Sequence, residues 1–309
     1  MNLTRLRYFV KIVDVGSLTQ AADVLHIAQP ALSQQLASLE GEMHQQLLIR
    51  SKRGVTPTDA GKILYAHAQL ILRQCEQAQS DVQTASKALS GKVSVGLAPG
   101  TAASALALPL LRTVRERHPG IMLYLNENFG TTLSELIMNG RMDMAVLYGD
   151  RPIHGLRFTP LFKETLYLVS PPSSPLPRDG ITLCEAAQHA LMLPRQYNAI
   201  RQYVDAACLA LGVRPRVIAE VESLSTLTDA LSDELGATVL PKSIARLIAN
   251  TTSAHTTPIT APAIEAPLAL CRSTHLPLSV PAQAVMDIVL ELVGALSRNE
   301  APILAEETS

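Results

Sequence analysis

Apolar residues recur at helical spacing from the start of the chain. Leu3, Leu6, Phe9, Val10 and Val13 share one side of a helix predicted over Asn2 to Val15, and Gly16 ends it. Ser17 is placed to cap a second, short helix from Leu18 to Leu25, in which Ala21 and Ala22 are small enough to let another helix approach closely. His26, Ile27 and Ala28 make the turn that follows. A third helix opens at Pro30, where a missing N–H costs nothing, with Gln29 in the cap position. On it Leu32, Leu36 and Leu39 fall within a narrow arc, while Pro30, Ser33, Gln34 and Ala37 fall on the opposite one. A surface helix stabilised for its own sake more often carries charged pairs there; this outer face is thin, polar and uncharged.

The stretch "LLIRSKRGVTP" gives two short extended runs around Gly54, read as a hairpin with a basic tip of Arg50, Lys52 and Arg53. Thr58 then caps a long helix through about Leu89. Its apolar seam (Ile63, Leu64, His67, Leu70, Ile71, Cys75, Ala78, Val82, Ala85, Leu89) is longer than any short neighbour could cover, so a second copy of the chain is its natural cover, with a buried core helix as the competing reading of Ile63, Leu64, Leu70 and Ile71. From Lys92 strands and helices alternate: "KVSVGLAPG", a helix through Arg117, "IMLYLNEN", a helix through Asn139, then "MDMAVLYG". This is a βαβ series and predicts a parallel sheet covered by helices. A second stretch repeats the style with "ETLYLVS", "HALMLP", "RVIAEVES" and "GATVLP", so two α/β lobes are expected, with a last helix from Pro281 to Ser297. Asn250 to Pro267 reads as a Thr- and Pro-rich loop, and the acidic C-terminal tail as a frayed end.

A chain of 309 residues with 47% hydrophobic residues can fill more than one core. Its net charge of −1 makes no case for a polyanionic partner, so any such case is local. Cys75, Cys184, Cys208 and Cys271 lack the spacing of a zinc or redox pair and read as thiols of a reducing compartment. Arg5, Arg7, Lys11 and Asp14 interrupt the N-terminal apolar residues, so no signal peptide is expected. No run approaches the roughly 20 apolar residues of a membrane span. The expected location is the cytoplasm, with no membrane partner. The sequence holds no G-x-S-x-G, G-x-x-x-x-G-K or H-E-x-x-H pattern and its histidines do not cluster, so neither an enzyme nor a cofactor is expected.

Two helices joined by a tight turn, the second with a small polar outer face, is the arrangement that enters a DNA major groove. A glutamine amide pairs bidentately with adenine, and a serine hydroxyl with several bases. Ser17, Gln29, Pro30, Ser33 and Gln34 are therefore the expected DNA-facing set, with Arg50, Lys52 and Arg53 on phosphates. In an open α/β sheet ligands sit beyond the carboxyl ends of strands, near helix N-termini. That selects Pro99, Gly100 and Thr101, then Thr131 and Thr132, then Tyr148, with Pro194, Arg195 and Ser223 on the other lobe. For Thr131 and Ser223, plain helix capping is the competing role.

In "LRYFVKIVDVGSLTQAADVLHIAQPALSQQLASLEGEM", followed by Leu47, Arg50, Arg53, Thr58, Ala60 and Gly61, the chain resembles the LysR-type transcriptional regulators. The likeness runs on more weakly to about Val293, where "DMAVLYG" and "GATVLP" resemble strands of that family's effector domain. It implies an all-α winged helix-turn-helix (1–58), a linker and dimerisation helix (59–89), and a two-lobed, periplasmic-binding-protein-like α/β domain (90–300). Lobe I would span about 91–162 and 266–300, and lobe II about 163–265. The implied partners are double-stranded promoter DNA, further copies of the chain as dimer or tetramer, RNA polymerase, and a small-molecule effector that some members need and others do not. "GEMHQQLLIRSKRGVTPT" and "GLAPGTAAS" draw the implied regulon toward nitrogen assimilation, with activation of some promoters and repression of others. The alternative within the family is a ligand-gated regulator of an organic-acid or aromatic catabolic operon. His44 and Glu234 stand where glycine is frequent in the family, and Leu48 where phenylalanine is; histidine tolerates a left-handed backbone well enough to keep the first turn.

Overall fold

A computed structural model describes residues 2–51, 54–84, 89–149 and 152–300. Lys52, Arg53, Ala85 and the acidic tail lie outside the described residues. The chain divides into two compact units, one of residues 1–87 with 138–141, the other the remainder.

The first unit contains α1 (Leu3–Val15), α2 (Leu18–Leu25), α3 (Gln29–Met43), the hairpin β1 (Leu48–Ser51) and β2 (Gly54–Pro57), and α4 (Asp59–Thr84). Polar caps and left-handed residues set the helix ends. Asn2 accepts from the Arg5 amide at 2.8 Å and Ser17 from the Gln20 amide at 3.4 Å. Gly16, His26 and His44 close α1, α2 and α3 at φ of 69°, 54° and 51°. Phe9, Ile12, Ala21, Ala22, Leu32, Leu36 and Leu39 make the core, extended by Leu47, Leu48 and Val55 of the wing. The side chain of Thr58 accepts from the Gly61 amide at 3.0 Å to start α4. A Cβ at Gly61 would lie 2.0 Å from the Leu47 carbonyl oxygen, so only glycine lets α4 rest on the approach to the wing.

Two expectations for this unit are corrected. Gln29 is not the cap of α3: the helix begins at Gln29, and Ala28 caps it with no side-chain bond. The long seam is not one surface. Leu64, Ala68, Ile71 and Leu72 turn inward onto Leu6 and Val10 of α1, whereas Ile63, His67, Ala78 and Val82 are exposed. Ile63 and His67 lie round the helix from Leu64, while Ala78 and Val82, nearly in phase with Leu64, lie further along α4 than the stretch packed on α1. Leu89 has left the helix and packs in the core of the second unit.

That unit begins with β3 (Ser90–Leu97) and a 3-10 turn (Ala102–Leu106) running into α5 (Ala107–Arg117). There follow β4 (Gly120–Glu127), α6 (Gly130–Met138), β5 (Met144–Tyr148), β6 (Leu156–Ser170), β7 (Ile181–Thr182), α7 (Leu183–Ala186), β8 (Leu191–Leu193) and α8 (Ala199–Ala210). The rest is β9 (Val217–Glu220), α9 (Leu224–Ser232), β10 (Thr238–Pro241), α10 (Lys242–Thr252), β11 (His255–Ala261), β12 (Glu265–Ser273) and α11 (Val280–Glu300). The main sheet runs β4-β3-β5-β12-β6-β11-β7, with β10 also on β6 and β8-β9 as a separate pair. β3 is parallel to β4 and β5, but β12 is antiparallel to both β5 and β6, so the sheet is mixed rather than parallel throughout.

The strand β6 belongs to both lobes: its first part pairs with β12 and its last residues with β10 and β11. The expected Thr- and Pro-rich loop is instead the end of α10, β11 and the start of β12. His255 to Pro258 pair with Ser170 to Tyr167, and alternation buries Thr257 and Ile259, as suits β-branched side chains on a half-buried strand. The window Val280–Ser297 of α11 has a mean hydropathy of 1.5, enough by length and composition to cross a membrane. Here Ala282, Val285, Ile288, Val289 and Val293 lie in the α/β core, and Glu291 accepts a two-pronged ion pair from Arg117 of α5 at 2.6 and 2.9 Å. Core membership explains this apolar run.

Candidate nucleic-acid interface and effector cleft

The outer face of α3 follows from its inner one. Leu32, Leu36 and Leu39 are buried, which turns Gln29, Pro30, Gln34 and Ala37 outward to solvent, with Ser33 half-buried beside the wing. Among the described residues no hydrogen bond engages the Gln29 or Gln34 amide, whereas Gln35, one position on, accepts from Arg5 at 3.0 Å. Arg50, exposed on β1, donates to the Ser33 hydroxyl at 3.2 Å, so helix and wing present their polar groups together. Ser17 is half-buried and its oxygen is committed to the α2 cap. Lys52 and Arg53 lie outside the described residues.

In the α/β unit the candidates separate into groups. Thr101 is buried, donates to the Ala98 carbonyl at 2.8 Å and accepts from the Ala103 amide at 3.0 Å, so its hydroxyl is spent on the turn that Gly100 enters at φ 71°. Tyr148 at the end of β5 is buried and donates to Glu164 of β6. Thr131 and Thr132 are not caps: they lie inside the first turn of α6, which opens at Gly130. Ser223 caps α9, accepting from the Thr226 amide at 3.3 Å. The Pro194 carbonyl accepts from Arg201 at 3.1 Å, and Arg195 is exposed nearby. Tyr197 donates to Glu222 at 3.2 Å, and that carboxylate holds its phenol pKa above the ordinary value.

The residue that sequence reasoning missed is Glu164, 1% exposed. One carboxylate oxygen accepts from Tyr148 and from the Ala102 amide at 3.1 Å; the other accepts from the Ser243 hydroxyl of α10 at 2.5 Å. Its signal is the alternation of β6, which puts Glu164 on the same buried row as Leu166, Leu168 and Ser170. A glutamate in such a row needs donors, and the sequence does not say which residues supply them.

A helix-turn-helix with a wing and a linker helix, joined to a two-lobed α/β domain, defines a class of DNA-binding regulator. Residues 3–62 match the model of the bacterial regulatory helix-turn-helix proteins of the lysR family, and residues 86–294 that of the LysR substrate binding domain. The chain belongs to the LysR family of DNA-binding transcription regulators. It is 54% identical to the nitrogen assimilation regulatory protein nac of Klebsiella aerogenes, over 95% of this chain and 96% of that one. To the protein of the same name from Escherichia coli (strain K12) it is 50% identical, over 96% of each. Among solved structures, a full-length OxyR variant from Pseudomonas aeruginosa shares the fold with a TM-score of 0.72 at 24% identity, covering 95% of this chain and 94% of that one. CbnR in complex with its target DNA aligns at 0.65 and 19% identity, covering 94% and 99%.

Proposed function

We propose that this regulator controls nitrogen-assimilation genes, activating some promoters and repressing others, as a cytoplasmic homo-oligomer with no catalytic activity of its own. The observation that carries DNA reading is the outer face of α3, where two glutamine amides, uncommitted among the described residues, flank Ser33. Gln29, Ser33 and Gln34 read base edges, Pro30 makes the close approach, and Ser17, Arg50, Lys52 and Arg53 lie along the backbone of the duplex. The near full-length identity to the two nac proteins supports the regulon. The exposed Ile63 and Val82 of α4 support pairing through the linker helix, which sets the distance between half-sites of a palindromic operator. Contact with RNA polymerase follows at the promoters it activates. A small-molecule effector, where one acts, biases the two lobes between arrangements and so the spacing of the DNA heads. The test is genome-wide DNA occupancy under nitrogen-rich and nitrogen-limited growth, followed by binding of the purified protein to the recovered sites. Ligand-free binding near nitrogen-assimilation genes upholds the reading. Occupancy confined to one catabolic operon and altered by its metabolite overturns the regulon and leaves the DNA-binding assignment standing.

A further inference from the structure

Glu164 sits where an open α/β sheet takes a ligand. The 3-10 turn after β3 points the Ala102 N–H at it, the end of β5 brings the Tyr148 hydroxyl, and the start of α10 brings the Ser243 hydroxyl from lobe II. Three donors from three elements converge on one carboxylate that is almost wholly out of water. A carboxylate is acceptor-only and loses its hydration on burial, so it persists there only while such donors replace the water. From the donors' side, the same geometry is a binding site for a small carboxylate: one main-chain N–H and two hydroxyls, aimed at a single two-oxygen group from both lobes.

We infer that this is a carboxylate-binding site whose occupant is built into the chain: Glu164 takes the place of a soluble anion and ties the lobes together without one. The inference rests on the proposed role of the cleft in lobe arrangement and goes further by naming the ligand. Its consequence is that small carboxylates have no access to this site in the wild-type protein, because the side chain fills it. Truncating Glu164→Ala removes the carboxylate and leaves the Ala102, Tyr148 and Ser243 donors around a void of the size of formate or acetate.

The full-length protein and its Glu164→Ala and Glu164→Gln variants would be compared by thermal unfolding in sodium formate, sodium acetate and sodium chloride at equal ionic strength, with DNA footprints recorded in each salt. Glu164→Ala is expected to lose about 5 °C or more in Tm in chloride. Formate or acetate should restore much of that loss in a saturable way, and the variant's footprint should follow the added carboxylate. The wild type should show neither effect. Glu164→Gln, nearly the same shape, keeps the site filled but turns an N–H toward hydroxyl donors; it should be less stable than the wild type and gain nothing from formate. A Glu164→Ala loss that formate and acetate do not reverse would reduce Glu164 to an ordinary buried side chain and overturn the inference. So would a Glu164→Gln protein as stable as the wild type, which decides the matter even where the alanine variant fails to fold. Absence of DNA binding by the wild type would instead count against the proposed function, since the unfolding comparison does not depend on DNA.

Discussion

One carboxylate oxygen of Glu40, on the last turn of α3, accepts from the backbone amide of Leu47 at 2.8 Å and from that of Leu48 at 3.2 Å. The second helix of the helix-turn-helix is thereby bonded to the wing through main-chain groups, whose positions do not depend on side-chain rotamers. Leu47 and Leu48 are buried, so water cannot readily take over the two N–H groups. Glu40→Ala is expected to cost about 2–3 kcal/mol in denaturant unfolding, the usual loss for hydrogen bonds to a charged acceptor. DNA affinity should fall with it, because the wing no longer holds its place against α3.

Gln34 faces solvent from α3 with its amide unengaged among the described residues, and α3 keeps its Leu32, Leu36 and Leu39 core whatever stands at this position. Gln34→Ala should leave the unfolding curve unchanged and lose about 1–3 kcal/mol of binding on the specific operator. On random duplex the loss should be negligible. Competition binding on both duplexes measures the difference, and equal losses would remove Gln34 from base reading.

The helix-turn-helix is legible in sequence because its signals are local: the 3.6-residue spacing of Leu32, Leu36 and Leu39, the Ser17 cap, and residues that accept positive φ at Gly16, His26 and His44. Glu234 shows the same logic in the other unit, since φ of 60° is why glycine suits that position. Strand partners are non-local, and there the pattern gives less. Thr256 and Thr257 read as loop residues until β6 is alongside them, and the antiparallel β12 that mixes the sheet has no marker of direction in its own sequence. In the candidate cleft Thr101 and Tyr148 are legible from strand ends. Glu164 is not, because what makes it notable is a set of donors separated from it by up to 79 residues.

Arg50 donates to Ser33 and is otherwise exposed on β1, so in a complex its guanidinium is available to a phosphate as well. Arg50→Ala should weaken specific and random duplex alike, and reduce the slope of log affinity against log salt by about one. An unchanged slope with loss at one base position would mean that Arg50 acts through Ser33 instead.

Ile63, 64% exposed, lies on the outer side of α4, about 100° round the helix from Leu64 on the face packed against α1, and Val82, 77% exposed, is in phase with Leu64 but lies further along α4 than the packed stretch. Ile63→Lys puts a charge on that outer side without touching the packed one. Sedimentation equilibrium should show weaker self-association with an unchanged Tm of the monomer, and occupancy of a two-half-site operator should become steeper in protein concentration. Self-association equal to the wild type would place the interface elsewhere.

Tyr65 on α4 donates its hydroxyl to Asp14 of α1. Burial of the ring pushes the phenol pKa up to about 12, and the Asp14 carboxylate adds to the shift. The unfolded chain has a phenol near the ordinary value of about 10, so at high pH the unfolded state gives up its proton first. The stability held by this contact is therefore complete below about pH 10 and is lost as pH rises from there through about 12. Below pH 9 the wild type and Tyr65→Phe should differ only by a pH-independent offset, since neither state ionises at this position there. Above pH 10 the wild type should lose stability faster than Tyr65→Phe, bringing the two curves together as the phenolate forms. Denaturant unfolding across this range decides it: parallel curves up to pH 12 would mean that the phenol ionises alike in the folded and unfolded chains, and that Asp14 does not hold its proton.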